Sequence, residues 1–262
     1  MPLHLVTWLA PSIPLAFYER IRADLSTVLG LEVTLQTDQR SSGPSAGDDN
    51  PFSDGRADVG FLCAPTLVAL GRELQSNVVT SELAPVFNDP RNEGRPIYFC
   101  DVVVRADSTL ADLNALRGHT FGFNDPLSLS GWLGLRSHLK ALGTSPERHF
   151  GQIVRTGSHL SSLDALMSGQ IDVASVDSNT RLLLPEQTLQ QVRVVTTVGP
   201  WPMQPVAFRR DLHPRLRQAV GAALRRMGPW PDFNFRGFAH QPRQDLARVP
   251  VPGRVGPRQP TR

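Results

Sequence analysis

Three features mark this chain as an α/β protein with largely parallel sheets. Strand-like and helix-like segments alternate, the connections between them carry Gly and Pro, and two Ser-rich stretches stand immediately before helical runs. The pattern begins with a strand over residues 3–9, a helix over 14–29 closed by Gly30, and a strand over 32–36. A segment rich in Ser, Gly, Asp and Pro follows over residues 37–55, ahead of an apolar strand at 57–62. Its first part, Asp38 to Gly43, leaves the carboxyl end of a strand, where open α/β sheets place ligands. Arg40, in that loop, is suited to bidentate pairing with a carboxylate or phosphate.

The remaining elements continue the alternation. A helix is expected over 65–71, strand-like sequence over 77–87, and a turn at Asn88 to Gly94. Residues 97–104 read as a strand buried on both faces that crosses between lobes. A second α/β set comprises helices at 110–116, 132–142 and 160–168 and strands at 120–123, 152–155 and 172–176. Strands at 192–197 and 205–209 read as the return crossing, and a helix spans 214–227. From about Gly237 the Pro- and Arg-rich sequence lacks apolar periodicity and is expected to be loosely ordered. Residues 1–101 with 198–240 are thus assigned to one lobe, 102–197 to a second, and 241–262 to a tail.

Composition narrows the function. The 262 residues are 40% hydrophobic and 19% charged, the balance of an ordinary folded protein able to bury a sizeable core. The net charge of +3 is unevenly placed: Arg236, Arg243, Arg248, Arg254, Arg258 and Arg262 face only Asp245 in the last 27 residues, leaving the rest of the chain net negative. Lys140 is the sole lysine, and no basic stripe with interleaved aromatics suggests a nucleic-acid partner. No run of about 18 apolar residues suggests insertion into a membrane. Cys63 and Cys100 stand singly in apolar surroundings, without the clustered ligands of a zinc site, so no metal or other cofactor is expected.

The chemistry is concentrated in two helix starts. Asn124-Asp125-Pro126-Leu127-Ser128-Leu129-Ser130-Gly131 places two hydroxyls and a glycine before one helix, and Thr156-Gly157-Ser158-His159 opens another. The first turn of a helix has backbone N–H groups without partners and the positive end of the helix dipole, so a small anion can be held there without lysine or metal. Ser caps and Gly turns are also ordinary punctuation of helices, and the two readings stand side by side.

Four stretches together resemble the phosphonate- and phosphite-binding solute receptors of ABC importers: ADVGFLCAPT at 57–66, YFCDVVVRADS at 98–108, DPLSLSG at 125–131 and TGSHLSSLDALMSGQIDVASVDS at 156–178. The resemblance runs over about residues 3–227. It implies a bilobal type 2 periplasmic-binding-protein fold, with two mixed-sheet lobes joined by two crossing strands and closing on a ligand. It further implies that Ser128, Ser130 and the N–H groups around Gly131 hold phosphonate oxygens, that His159 donates to the same oxygens, that Tyr98 is a cleft tyrosine, and that Asp177 faces a ligand amine. Leu129 stands where the family usually has a third hydroxyl, which removes a donor and enlarges the apolar wall. Trp8 and Trp201 are placed to wall the cleft.

The expected function is therefore binding of a small phosphonate-, phosphite- or phosphate-like anion by a monomeric importer component without turnover, which docks on an ABC permease when closed. Structural roles compete at His159 and Asp177 (capping) and at Tyr98 and Trp8 (packing). Strand sequence follows Met1 directly, so the chain as written reads as cytoplasmic, or as extracytoplasmic if a leader has been removed. A cytoplasmic enzyme of the same fold acting on a small carboxylate, with Cys63, His159 or Asp177 as its chemical groups, is the first alternative. A cytoplasmic ligand sensor is the second.

Overall fold

The computed structural model describes residues 2–38, 42–44, 49–69 and 77–250. Strand β1 (Leu3–Thr7) lies parallel to β2 (Val33–Thr37) and β3 (Val59–Phe61). Helix α1 (Leu15–Leu29) makes the crossover and buries Phe17, Tyr18, Ile21 and Leu25 on one face. Gly30 ends it with φ 62°, a left-handed conformation that glycine adopts without a Cβ penalty. Helix α2 (Ala64–Ala69) follows β3 directly, and the expected extension to residue 71 lies outside the described residues. Strand β4 (Val78–Thr80) completes the edge of the first sheet, while β5 (Leu83–Phe87) turns away from it.

Strand β6 (Ile97–Arg105) carries the chain into the second sheet. There β7 (Thr120–Phe123), α3 (Gly134–Ala141), α4 (Pro146–His149), β8 (Gln152–Arg155), α5 (His159–Met167), β9 (Val173–Asp177), α6 (Ser178–Leu182) and α7 (Glu186–Leu189) follow. Strand β10 (Val192–Pro202) pairs antiparallel with β6 and returns the chain to the first sheet at β11 (Ala207–Arg209). Helix α8 (Pro214–Leu224) and strand β12 (Phe235–His240) close the described chain, apart from a 3-10 turn at Arg243–Arg248. Among the described residues the sheet orders are β2-β1-β3-β11-β4 and β10-β6-β9-β7-β8, with β12 pairing β5.

Three expectations are corrected. Residues 110–116 form no helix: Asp112 accepts from the Ala115 N–H, and i to i+3 bonds run from Leu116 to Leu113 and from Arg117 to Asn114, so the chain makes successive turns. The helix expected at 132 begins earlier, with a π turn over Leu129–Leu133 that feeds α3. Residues 235–240, expected in part to be loose, form a paired strand whose bulge between Phe235 and Gly237 breaks the alternation that would have betrayed it.

The two largest apolar clusters among the described residues share β6, one through Tyr98 and the other through Cys100, Val102 and Val104. One packs α1, α8 and the first sheet around Phe17, Tyr18 and Phe235; the other packs α3 against the second sheet around Leu135, Leu139 and Phe121. On β6, the buried Asp101 accepts from Arg91 at 2.8 Å, Arg181 at 3.0 Å and Thr197 at 2.9 Å, tying the two long strands to α6. Burial opposes its charge, but the two guanidiniums hold its carboxyl below the ordinary value.

Candidate functional site

The carboxyl ends of β7, β8 and β9 and of β1 and β3 open on one enclosed space, as the strand-end rule requires. After β7, Ser128 caps the π turn: its Oγ accepts from the Gly131 N–H at 3.0 Å, leaving its hydroxyl proton free to donate. Glycine is required at 131, since a Cβ there would lie 1.7 Å from Oδ1 of the buried Asn124. Ser175 donates to the Ser130 carbonyl at 2.6 Å, pinning the turn to β9.

After β8, Ser158 caps α5 by accepting from the Ser161 N–H at 3.0 Å, which puts His159 in the first turn. The His159 Nε2 lies 3.1 Å from Ser130 Oγ, so the two predicted helix starts do meet. After β9, Asp177 caps α6 by accepting from the Asn179 N–H at 2.7 Å. Ser128, Ser130, His159 and Asp177 all line a cavity with about 40 Å³ open to the centres of water molecules. Trp8 closes its other side, with its ring stacked on Phe52 at 6.1 Å.

The other predicted residues fall outside this wall. Leu129 is fully buried in the first core and faces away from the cavity lining. Tyr98 is likewise fully buried, beside the Cys63 thiol, and burial raises its phenol well above the ordinary value. Trp201 packs against Gly134 of α3. Arg40 lies outside the described residues.

Sequence reasoning missed Asn124, Thr180 and Gln204 as lining residues. Asn124 heads the motif before the π turn but was not itself assigned a role, Gln204 follows β10 closely, and Thr180 lies in the first turn of α6, positions legible only once the strand ends are known. Ser42 was signalled by its loop. It also joins the two sides of the site, its N–H donating to Asp125 Oδ2 at 2.6 Å while Leu127 N–H donates to Oδ1 at 2.6 Å.

The electrostatics are unusual for an anion site. No Lys or Arg among the described residues lines the cavity. Burial pulls the His159 imidazole down to about 4, against a small opposing effect of the Ser175 backbone, so it is neutral at pH 7. Burial pushes the Asp177 carboxyl up to about 7; the Asn179 and Thr180 N–H groups oppose the rise and Asp101 adds to it. Burial also pushes the Cys63 thiol up to about 12, an unreactive value. His159 Nδ1, Asn124 Oδ1, Thr180 Oγ1 and Gln204 Oε1 are buried without a hydrogen-bond partner among the described residues, and all belong to the cavity wall. Such atoms cost free energy unless something polar meets them. Among the described residues no cluster of side chains is arranged to hold a metal ion.

Two sheets joined by the paired β6 and β10, with a polar cavity at their strand ends, define a two-lobed type 2 periplasmic-binding protein. The chain matches, over residues 8–241, the family described as "ABC transporter, phosphonate, periplasmic substrate-binding protein". It belongs to that family of transporter components, whose members bind substrate and are not enzymes. A binding-protein component of a Pseudomonas aeruginosa ABC phosphonate transporter superposes with TM-score 0.75 at 17% identity, covering 94% of this chain and 83% of that one. Prochlorococcus marinus PhnD1 in complex with methylphosphonate gives 0.70 at 14% identity, and a Xanthomonas citri protein bound to ATP gives 0.66 at 18%; each comparison covers 94% of both chains. No protein of curated function matches the chain.

Proposed function

We propose that this chain captures a small phosphorus oxyanion, phosphonate-, phosphite- or phosphate-like, in the cavity between its lobes. The observation that carries this is the convergence of the Ser128 and Ser130 hydroxyls and the α5 first turn on a buried wall that also holds the unpartnered Thr180 hydroxyl and His159 Nδ1. Oxygens placed there receive the Ser128 hydroxyl, the one proton that the Ser130–His159 pair does not spend on its own bond, and the N-terminal dipole of α5. Neutral donors suffice because the lining side chains are themselves buried, and a low local dielectric strengthens each bond. The family membership and the methylphosphonate-bound neighbour support the same chemistry.

In this reading residues 1–101 with 198–240 move as one lobe and 102–197 as the other, with β6 and β10 as the hinge. The closed monomer presents its ligand to a membrane permease outside the cytoplasm, as the family's description implies. The test is calorimetric titration with phosphite, phosphate, methylphosphonate and sulfate against the unmodified chain, Ser130→Ala and His159→Gln. Each variant should weaken phosphorus-oxyanion binding by about 1–3 kcal/mol through a lost donor. Unchanged affinity in both places the site elsewhere.

A further inference from the structure

The enclosed cavity is small and it is not closed on every side. Its 40 Å³ corresponds to roughly three water positions, enough for the three oxygens of one oxyanion and little more. Four of its lining residues, Trp8, Ser12, Ser42 and Asn124, also line a second recess of about 270 Å³ that opens toward solvent. These four residues form a neck between the spaces. Asn124 is 7% exposed, and its Oδ1 has no hydrogen-bond partner among the described residues.

The recess has a distinct chemistry. Trp8, Ala10 and Pro11 supply apolar surface from one lobe, and Ser158 and Ser161 supply hydroxyls from the first turn of α5 on the other. The indole is held rigidly: it is 4% exposed and stacked on Phe52, whose ring occupies the space where a side chain at Gly60 would begin. The one carboxylate among the described residues of the wall, Asp125, already has both oxygens engaged by backbone N–H groups. A wall of this kind fits an uncharged chain or ring with a polar atom or two, and does not call for a second anionic group.

We propose that the ligand is an organophosphorus oxyanion with an uncharged substituent longer than one carbon, the oxyanion filling the inner cavity and the substituent running through the neck, past Trp8, into the recess. The proposal rests on the oxyanion-binding reading and adds the class of substituent. The substituent, not the head group, then sets which ligand is preferred, because burying each methylene tightens binding by roughly fourfold.

The test titrates the full chain with methyl-, propyl-, butyl- and phenylphosphonate, then repeats the methyl and butyl pair on Ser161→Trp, whose side chain fills the recess without entering the inner cavity lining. Binding should tighten from methyl to butyl by roughly tenfold or more, allowing for partial burial, and that ratio should fall toward one in Ser161→Trp. Equal or weaker binding of butylphosphonate to the unmodified chain overturns the proposal while leaving the oxyanion reading intact. A ratio that survives in Ser161→Trp also overturns it, since the substituent then leaves by another path. If no phosphonate of the series binds, the oxyanion reading fails and the proposal with it, a result distinct from the other two.

Discussion

Replacing Asp177 with asparagine removes a carboxyl that ionises near pH 7 in the fold and near 3.8 in the unfolded chain. Between those values the folded protein holds a proton that the unfolded chain has released, so stability falls as pH rises, by ~1.4 kcal/mol per pH unit and ~4 kcal/mol in all. His159 acts in the opposite sense. It protonates near pH 6.5 when unfolded but only near 4 in the fold, so between these values the unfolded chain holds the extra proton and stability rises with pH, by ~3 kcal/mol in all. From pH 4 to 6.5 the two slopes nearly cancel, and each conceals the other. Asparagine caps a helix about as well as aspartate, so Asp177→Asn keeps the bond from the Asn179 N–H and isolates the charge. Urea unfolding of the unmodified chain, Asp177→Asn and His159→Gln at pH 4.5, 5.5, 6.5 and 8 should separate the contributions. Relative to the unmodified chain, and beyond a constant offset, Asp177→Asn should gain up to ~4 kcal/mol by pH 8. His159→Gln should gain up to ~3 kcal/mol as pH falls from 6.5 toward 4. An Asp177→Asn difference that is the same at pH 5 and pH 8 would refute the argument, because it would mean the buried carboxyl ionises at its ordinary value.

The same carboxyl should make oxyanion affinity depend on pH. Ionised Asp177 repels the bound anion whereas protonated Asp177 donates to it, so the ratio of Asp177→Asn to unmodified affinity for methylphosphonate should rise through pH 7 and level off below it, as followed by calorimetry. Gly131→Ala should destabilise the fold by about 1–3 kcal/mol by forcing the Asn124 side chain out of its place over the π turn, and should weaken methylphosphonate binding at the same time. Denaturation and titration of that one variant check both.

How much of this was legible in the sequence depends on whether the signal was local. Gly30, Gly169 and the apolar spacing of α1 and α5 mark their elements directly, because caps and a 3.6-residue period are properties of a single segment. The two Ser-rich helix starts were equally visible, and the structure brings Ser130 and His159 within 3.1 Å of each other. Residues 110–116 misled, since their leucines mimic helical spacing while Asp112 and Asn114 stabilise turns instead. Strand β12 was hidden by Gly237, whose bulge shifts the register against β5. Leu129 and Tyr98 sat within recognisable motifs, yet both side chains turn into the core, because neighbouring positions on a π turn or a strand point to different faces. Thr180 and Gln204 acquire a role only through tertiary placement beside Asp177, which no segment of sequence encodes by itself.

These placements also supply a physical reason for closure to depend on ligand. The cavity wall is assembled from both lobes, with Trp8 and Ser42 on one side and Asn124, Ser130 and His159 on the other. Closing it without a ligand strips water from His159 Nδ1 and Thr180 Oγ1, each at a cost of about 1–3 kcal/mol when nothing replaces the lost bond. The hydrogen bonds that cross between the lobes, Ser42 N–H to Asp125, Arg181 to Asp101 and Asn234 Nδ2 to the Leu182 carbonyl among them, satisfy none of these atoms. An oxyanion changes this balance, since its oxygens accept from the Ser128 and Thr180 hydroxyls and from the one proton that the Ser130–His159 pair does not spend on its own bond, groups already oriented by the caps of the π turn, α5 and α6. The polar wall that makes the empty closed state costly is therefore the same wall that makes the liganded closed state favourable, and the difference between the two is what couples binding to lobe closure.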